Sequence, residues 1–249
     1  AGKQPFFMMV SHYAPHIPFA CTREAFERTK KRWITAGYDT KGLDELTDDP
    51  IVNPKGEANK KITYAAMVEE MDLTLVDVLD ALEQTGELEN TYIIFTADHG
   101  LAAGHHGLMG KQNMYEHSMR PPFIVVGPGI KPNSKIDTPI YLQDAMATAI
   151  EIAGAEKPAH VEFKSLMPLI KGEKKVQYDR IYGSYQNTQR MILKDDWKLI
   201  FYPTAAKKMR LFNIKNDPAE MNDLIDNPEY AKKIKELKKL FKCSHLELI

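Results

Sequence analysis

The sequence predicts an α/β fold with a mostly parallel sheet flanked by helices, followed by a small antiparallel sheet with one helix. Short continuous apolar runs, which are typical of strands buried on both faces, occur at Pro5–Val10, Tyr92–Ala97 and Pro122–Val126. Helical periodicity between these runs indicates parallel crossover connections. Beyond about Lys171 the pattern changes to short strands in quick succession, which indicates an antiparallel meander.

The segment between the first two predicted strands contains an irregular excursion and a helix. Residues Thr22–Lys60 are charged, carry prolines and glycines and lack sustained periodicity, so we interpret them as a long excursion with short helices. Such insertions often form functional lids. A helix is predicted over Ile62–Gln84, with Gly86 as its C-terminal cap. Its apolar stripe consists of Met71, Leu75, Val78, Leu79 and Leu82.

Two further helices and the meander follow. One helix is predicted over Tyr141–Ala153, closed by Gly154, and another over Pro228–Lys242, whose lysines form a solvated face. The change of period divides the chain into an α/β portion, 1–174, and a small antiparallel subdomain, 175–249. The meander strands are predicted at Ile181–Gln186, Arg190–Lys194, Lys198–Tyr202 and Arg210–Ile214.

The composition excludes several classes of protein. Of 249 residues, 43% are hydrophobic and 27% are charged, which is enough apolar content for a sizeable core. The 33 basic and 34 acidic residues argue against nucleic acid or an anionic membrane surface as a partner. No stretch approaches the ~20 apolar residues of a spanning helix. The first residues lack the features of a signal peptide, so the chain is expected to begin within a fold.

Three polar clusters are assigned to the carboxyl ends of the three buried strands, where an open α/β sheet binds its ligands. They are His12 to His16, the pair Asp98-His99, and the stretch Gly104–Glu116. Five of the eight histidines fall in these clusters. One histidine alone is usually a solvated or hydrogen-bonded loop residue, but convergence at neighbouring strand ends favours a site.

The residue types in these clusters suit one kind of chemistry. Asp98 and His99 offer an oxygen and a nitrogen to one divalent cation, and a hard cation such as Ca²⁺ needs further oxygen ligands. Lys111 adds a positive charge, and His16 can donate a hydrogen bond or a proton. Together they predict metal-assisted hydrolysis or transfer of an anionic ester.

The ordered motifs are more specific than the clusters. TADHG (Thr96–Gly100), GHHGLMGKQNMYE (Gly104–Glu116) and RPP (Arg120–Pro122) resemble the sulfatase family, in its arylsulfatase-type branch of the alkaline-phosphatase superfamily. The resemblance runs over nearly the whole chain, from PFFMMVSHYAPHIPF through the WKLI segment of the meander to Asp217-Pro218. It implies an alkaline-phosphatase-like fold, of which residues 1–174 form the C-terminal portion of the catalytic domain.

The resemblance also implies the roles of single residues. Asp98 and His99 would be ligands of Ca²⁺. Lys111 would bind the sulfate and stabilise charge on the leaving oxygen. His16 would contact the sulfate ester and act as a candidate general acid, so that His16 and Lys111 are the expected catalytic residues.

Further residues are expected at the edge of the site. His12 and His106 are candidate substrate-binding residues beside Lys111. Tyr115 and Glu116 are expected to support the loop, together with Arg120.

The family's nucleophile is a formylglycine made from Cys or Ser in a Cys/Ser-x-Pro-x-Arg motif, and this motif is absent from the sequence. Cys21 does not stand in such a motif, and we interpret it as an ordinary small side chain. The resemblance therefore implies that the nucleophile and the remaining acidic ligands lie upstream, in an N-terminal half of the catalytic domain that acts as a partner. The chain alone is expected to be inactive.

The expected function is hydrolysis of a sulfate ester of a carbohydrate or an aryl group, in a periplasmic or secreted setting. Two alternatives stay open. One is a phosphonate or phosphodiester hydrolase of the same superfamily, and the other is a non-catalytic remnant that binds sulfated ligands.

Overall fold

The structure is a computed structural model that describes residues 4–40, 43, 50–52 and 56–243. The chain forms two compact units, which meet in sequence between Thr91 and Tyr92. None of the described helices combines the length and the apolar composition needed to cross a bilayer.

The first unit is built around two helices. Its elements are β1 (Cys21–Thr22), α1 (Arg23–Thr35), β2 (Ile51–Val52), α2 (Glu57–Gln84) and a 3-10 turn (Leu88–Asn90). The Thr22 hydroxyl caps α1 by accepting from the Ala25 N–H at 3.2 Å. The apolar residues buried in this unit include Phe26 of α1 and Ile62 and Ala66 of α2.

The predicted helix of this unit is confirmed, and it begins five residues before the predicted start. At its C-terminus Gly86 adopts a φ of +73° and donates its N–H to the Glu83 carbonyl at 2.9 Å, which confirms the predicted cap. Within the predicted excursion α1 is present. Residues 41–42, 44–49 and 53–55, with Pro54, lie outside the described residues.

The predicted strand at Pro5–Val10 is wrong. This segment carries no strand pairing, and its side chains are exposed, with Phe7 82% exposed. An apolar run becomes a strand only where another strand satisfies its N–H and C=O groups, and no strand among the described residues pairs with it.

The second unit begins with a pair of strands and ends with a sheet and a helix. Its elements are β3 (Ile93–Thr96), a 3-10 turn (His105–Gly107), α3 (Glu116–Met119), β4 (Phe123–Val126), α4 (Asp144–Ile152), α5 (Met167–Ile170), β5 (Ile181–Tyr185), β6 (Gln189–Lys194), β7 (Trp197–Phe201), β8 (Met209–Asn213), a second 3-10 turn (Pro228–Tyr230) and α6 (Ala231–Cys243). Gly154 follows α4 at a φ of +65°, as predicted.

The strands β3 and β4 pair antiparallel, with Ile93 opposite Val126 and Thr96 opposite Phe123. Every strand pair among the described residues is antiparallel, so the parallel pairing expected from the apolar runs is not found there. An apolar run predicts burial but carries no information about the direction of its partner. The connection between β3 and β4, all of it described, contains a 3-10 turn and the four-residue helix α3 but no long crossover helix.

The C-terminal meander is confirmed, with each strand within one residue of its predicted bounds at either end. The order β5-β6-β7-β8 is antiparallel throughout. One face of the sheet packs against Leu237 and Phe241 of α6. The other face packs against Met114 and Tyr115. The α/β class with a small antiparallel sheet and a helix is therefore confirmed, while the domain boundary between residues 174 and 175 stays a prediction.

Candidate functional site

The loop that joins β3 to β4, residues 97–122, carries Asp98, His99 and Lys111. The Gly100 N–H donates to the Ser118 carbonyl at 3.0 Å, and the Ala102 N–H donates to the Gly110 carbonyl at 3.0 Å. These two bonds hold the outgoing and returning arms of the loop side by side. Because both lie between β3 and β4 in the sequence, two of the predicted polar clusters share one loop, and the Gly104–Glu116 cluster leads into β4 instead of following it.

Gly100 is required where the two arms meet. A Cβ atom at this position would lie 1.9 Å from the His117 carbonyl oxygen, which belongs to the backbone and cannot move aside cheaply. The Gly in TADHG therefore allows the strand end to approach the returning arm.

Asp98 and His99 follow β3 directly, as predicted, and their side chains face each other. Asp98 Oδ2 lies 3.2 Å from His99 Nε2. His99 Nδ1 donates to the Gly100 carbonyl at 3.0 Å, which leaves Nε2 as the nitrogen that faces the carboxylate. An imidazole lone pair and a carboxylate repel each other at this distance unless a proton or a metal cation lies between them.

This donor pair fits part of a cation site. An oxygen and a nitrogen converge, and the second ring nitrogen is held by a backbone carbonyl, as is usual for metal-binding histidines. Among the described residues no group of three or more His, Cys, Asp or Glu side chains could hold a metal. The pair alone is insufficient for Ca²⁺, which takes 6–8 oxygen ligands.

Lys111 lies within this loop and is half-buried. Within the part of the chain that the structure describes, no hydrogen bond or ion pair involves Lys111 Nζ. Most partly buried ammonium groups have an acidic or carbonyl partner, because desolvation of an unpaired charge is costly. A free ammonium in this loop is therefore available to an anionic ligand.

His106 is engaged within the protein. Its ring stacks on Tyr115 at a centroid distance of 4.0 Å and an interplanar angle of 11°, and its Nε2 donates to the Ala219 carbonyl at 2.9 Å. Its backbone lies in the left-handed region, with a φ of +54°. These contacts shape the loop, and the substrate-binding role of His106 stays a prediction.

A buried ion cluster lies beneath the loop, and sequence reasoning missed it. Lys198 of β7 is fully buried, with Nζ 2.5 Å from Glu116 Oε1 and 2.8 Å from Glu220 Oε1. Burial raises the pKa of Glu220, and the Lys198 ammonium opposes that shift. The sequence contained one signal for the burial of Lys198. Alternation along β7 places Lys198 on the same face as the buried Ile200.

His117 lies next to this cluster on the returning arm. Burial, together with the positive charge of the neighbouring His106, His105 and Lys198, lowers the pKa of His117 to about 4. His117 is therefore neutral at pH 7. Its Nε2 is buried and has no hydrogen-bond partner among the described residues.

The remaining predicted site residues lie in the first unit. His16 Nδ1 donates to the Ile17 carbonyl at 2.8 Å, and its ring lies 5.0 Å from that of Tyr13. His12 Nε2 lies 3.3 Å from the Thr74 hydroxyl of α2. Both histidines therefore have one ring nitrogen in a local contact.

Cys21 behaves as the ordinary small side chain that the sequence predicted. Its side chain is buried in β1, and burial together with the nearby Glu70 carboxylate raises the pKa of the thiol to about 11. A thiol that stays protonated at neutral pH is a poor nucleophile.

The fold and this loop define the class: an α/β protein of the alkaline-phosphatase-like kind, with an Asp-His pair directly after a strand and a lysine farther along the same loop. Comparison with known families identifies it further. A sulfatase model matches residues 1–155, and a model for the C-terminal part of N-sulphoglucosamine sulphohydrolase matches residues 104–245. The chain belongs to the sulfatase family.

Individual relatives agree with this assignment. An N-acetylglucosamine-6-O-sulfatase of Bacteroides thetaiotaomicron is 34% identical over 71% of this chain and 34% of its own length. Arylsulfatase K of Xenopus laevis is 32% identical over 71% of this chain and 35% of its own length. A structure solved in complex with its substrate D-glucosamine-2-N,6-O-disulfate is 29% identical, with a TM-score of 0.69 over 89% of this chain and 45% of that one. The chain thus spans about a third to a half of these relatives.

Proposed function

We propose that the protein containing this chain hydrolyses sulfate esters, with a sulfated carbohydrate or an aryl sulfate as substrate. The observation that carries the proposal is the half-buried ammonium of Lys111, which has no partner among the described residues, in the loop that also holds the Asp98-His99 pair. A fixed positive charge that lacks an internal partner is suited to bind a sulfate group. It also stabilises the negative charge that develops on the leaving oxygen.

His16 and Lys111 are the proposed catalytic residues. His16 donates through Nδ1 to a backbone carbonyl, so its Nε2 is the nitrogen available to the substrate. In its protonated form it would act as general acid toward the leaving oxygen. His12, His106 and Lys111 are the proposed substrate-binding residues.

Asp98 and His99 are proposed to hold one Ca²⁺ together with acidic ligands from a segment upstream of this chain. The cation would supply positive charge to the sulfate oxygens. The same upstream segment is proposed to carry the formylglycine nucleophile and to act as the N-terminal partner of this chain. Family membership supports both proposals.

Sulfated carbohydrates are the favoured substrate class. Two similar proteins are described as a sulfatase of N-acetylglucosamine and as a complex with a glucosamine disulfate. External sulfated glycans would place the protein in the periplasm or outside the cell. The alternative of a phosphonate or phosphodiester hydrolase has less support, because the similar relatives above are named sulfatases.

The test compares three esters that share one leaving group. The full-length protein, with the upstream segment, is assayed on 4-nitrophenyl sulfate, 4-nitrophenyl phosphate and 4-nitrophenyl phenylphosphonate, with and without a calcium chelator. We expect sulfate to be the best substrate and chelation to abolish its turnover. A preference for either phosphorus ester would refute the proposal, and sulfate binding without turnover of any ester would favour a non-catalytic remnant. Residues 1–249 alone should be inactive.

A further inference from the structure

The returning arm of the loop, directly after Lys111, is attached to the C-terminal sheet and the chain that follows it at alternate positions, 112, 114 and 116. Gln189 Nε2 of β6 donates to the Gln112 carbonyl at 2.8 Å. Lys198 Nζ of β7 donates to the Met114 carbonyl at 3.1 Å. The first bond is therefore made only one residue away from Lys111.

The attachment continues through Glu116. Its carboxylate pairs with Lys198, while its backbone N–H donates to Glu220 Oε2 at 2.6 Å. Glu220 therefore accepts from the loop backbone with one oxygen and pairs with Lys198 through the other, 2.8 Å away. Next to it, the Ala219 carbonyl accepts from His106.

These polar contacts require particular partners at particular distances, which apolar packing does not. Lys198 has no exposed surface, so its positive charge is stabilised by the two carboxylates and the Met114 carbonyl in place of water. A buried charge without its partners is strongly unfavourable. Moving the loop away from the sheet would separate Lys198 from its partners, so the ion cluster holds the two together. The Lys111 ammonium has no partner among the described residues, and the anchored residues after Lys111 hold the backbone from which its side chain extends.

We propose that Gln189, Lys198 and Glu220 are positioning residues for Lys111, so that the C-terminal sheet sets the reactivity of the loop. This inference rests on the proposed function of Lys111 in ester hydrolysis. None of the three residues needs to touch the substrate. They act by holding residues 112–116, and a shift of about 1 Å in a charged group is enough to lower turnover substantially.

A double-mutant cycle tests the proposal in the full-length enzyme. Glu220→Gln keeps the shape of the side chain but removes one of the two negative charges around Lys198. We expect kcat to fall about tenfold in the wild-type background and less than about twofold in a Lys111→Ala background, because a positioning residue has no effect once its target is absent. An equal fall in both backgrounds would overturn the proposal, since it would indicate a general loss of structure.

The dependence on the leaving group gives a second readout. If Lys111 stabilises the leaving oxygen, then Glu220→Gln should slow a sugar sulfate more than 4-nitrophenyl sulfate, whose leaving group needs little stabilisation. An equal loss on both substrates would contradict positioning of Lys111. If the enzyme prefers another ester, the cycle can be run on that ester, so failure of the proposed function is recognised separately.

Hydrogen exchange of the full-length protein tests the anchor without any activity measurement. In Glu220→Gln we expect the amides of residues 112–118 to exchange about tenfold faster, while amides of β6 and β7 keep their protection. Lys194→Met is the matched control, because Lys194 of β6 pairs with Asp179 at 2.7 Å and, among the described residues, has no hydrogen bond or ion pair to the loop. Unchanged exchange in 112–118, or equal acceleration in the control, would overturn the proposal.

Discussion

The segment 11–18 and the loop 97–122 both carry histidines that the sequence assigns to one site, but the structure treats them differently. In segment 11–18 the contacts are local, from Tyr13 to Ile17 and from His16 to Ile17, apart from the His12 bond to Thr74. The loop 97–122 is bonded along its length to its own returning arm and to the C-terminal sheet.

This difference shows that the sequence motif of a segment does not determine how firmly the segment is held in the fold. Both segments are polar, and both contain histidines next to Gly or Pro. Only the loop has buried partners of opposite charge within the described residues. Hydrogen bonds and ion pairs to buried groups raise the free energy needed to open a segment locally, whereas exposed hydrogen bonds within the segment contribute little to it.

The largest expected effect concerns the ion cluster that anchors the loop. Lys198→Met should lower the free energy of unfolding by about 3–5 kcal/mol, because Glu116 and Glu220 then stay buried without their cation. Urea denaturation of residues 1–249 measures this change. Lys194→Met, which breaks an exposed pair, should cost less than about 1 kcal/mol. Equal losses in the two variants would contradict the importance of burial.

The next largest effect is expected from replacing Lys111, which should lower activity and leave stability nearly unchanged. Lys111→Ala in the full-length enzyme should lower kcat by about 10²–10³, the typical cost of one oxyanion donor. Since Lys111 has no internal partner among the described residues, the free energy of unfolding should change by less than about 0.5 kcal/mol. Steady-state kinetics and urea denaturation give the two values. Unaltered turnover would remove the main support for this site.

A pH effect is expected from His117. Its pKa in the folded protein is lowered from 6.5 to about 4, so the unfolded chain binds the proton more tightly. The resulting stability is present above pH 6.5 and is lost as the pH falls toward 4. Between pH 7 and pH 5 we expect a loss of about 1–2 kcal/mol.

His117→Gln provides the comparison for this pH effect. It lacks a titratable ring, so its free energy of unfolding should vary less over the same interval, as measured by urea denaturation at each pH. Identical pH profiles for the variant and the wild type would show that other groups cause the dependence.

The smallest effects come from a matched pair of histidines. His106→Ala should cost about 1–2 kcal/mol, because it removes a stacked ring and a hydrogen bond to Ala219. His12→Ala should cost less than about 0.5 kcal/mol, since its bond to Thr74 is exposed. Thermal unfolding of both variants measures the difference, and a larger loss at His12 would reverse the comparison.

The sequence by itself determined the elements that depend on local pattern. The stripe of α2, the cap at Gly86 and the four strands of the meander follow from periodicity and turn residues over short windows. The TADHG motif and the lysine of GHHGLMGK also indicated the family, because their order along the chain is specific. The position of Asp98 after a strand needed no tertiary information.

Only the tertiary structure decided which elements are partners. The run at Pro5–Val10 has the composition of a buried strand but no pairing in the described chain, and β3 and β4 pair antiparallel. Lys198 lies 82 positions from Glu116 and 22 from Glu220, so no local window contains the cluster. Local pattern fixes which face of an element is apolar. Strand direction and buried ion pairs depend instead on hydrogen bonds and charges that distant segments supply only after folding.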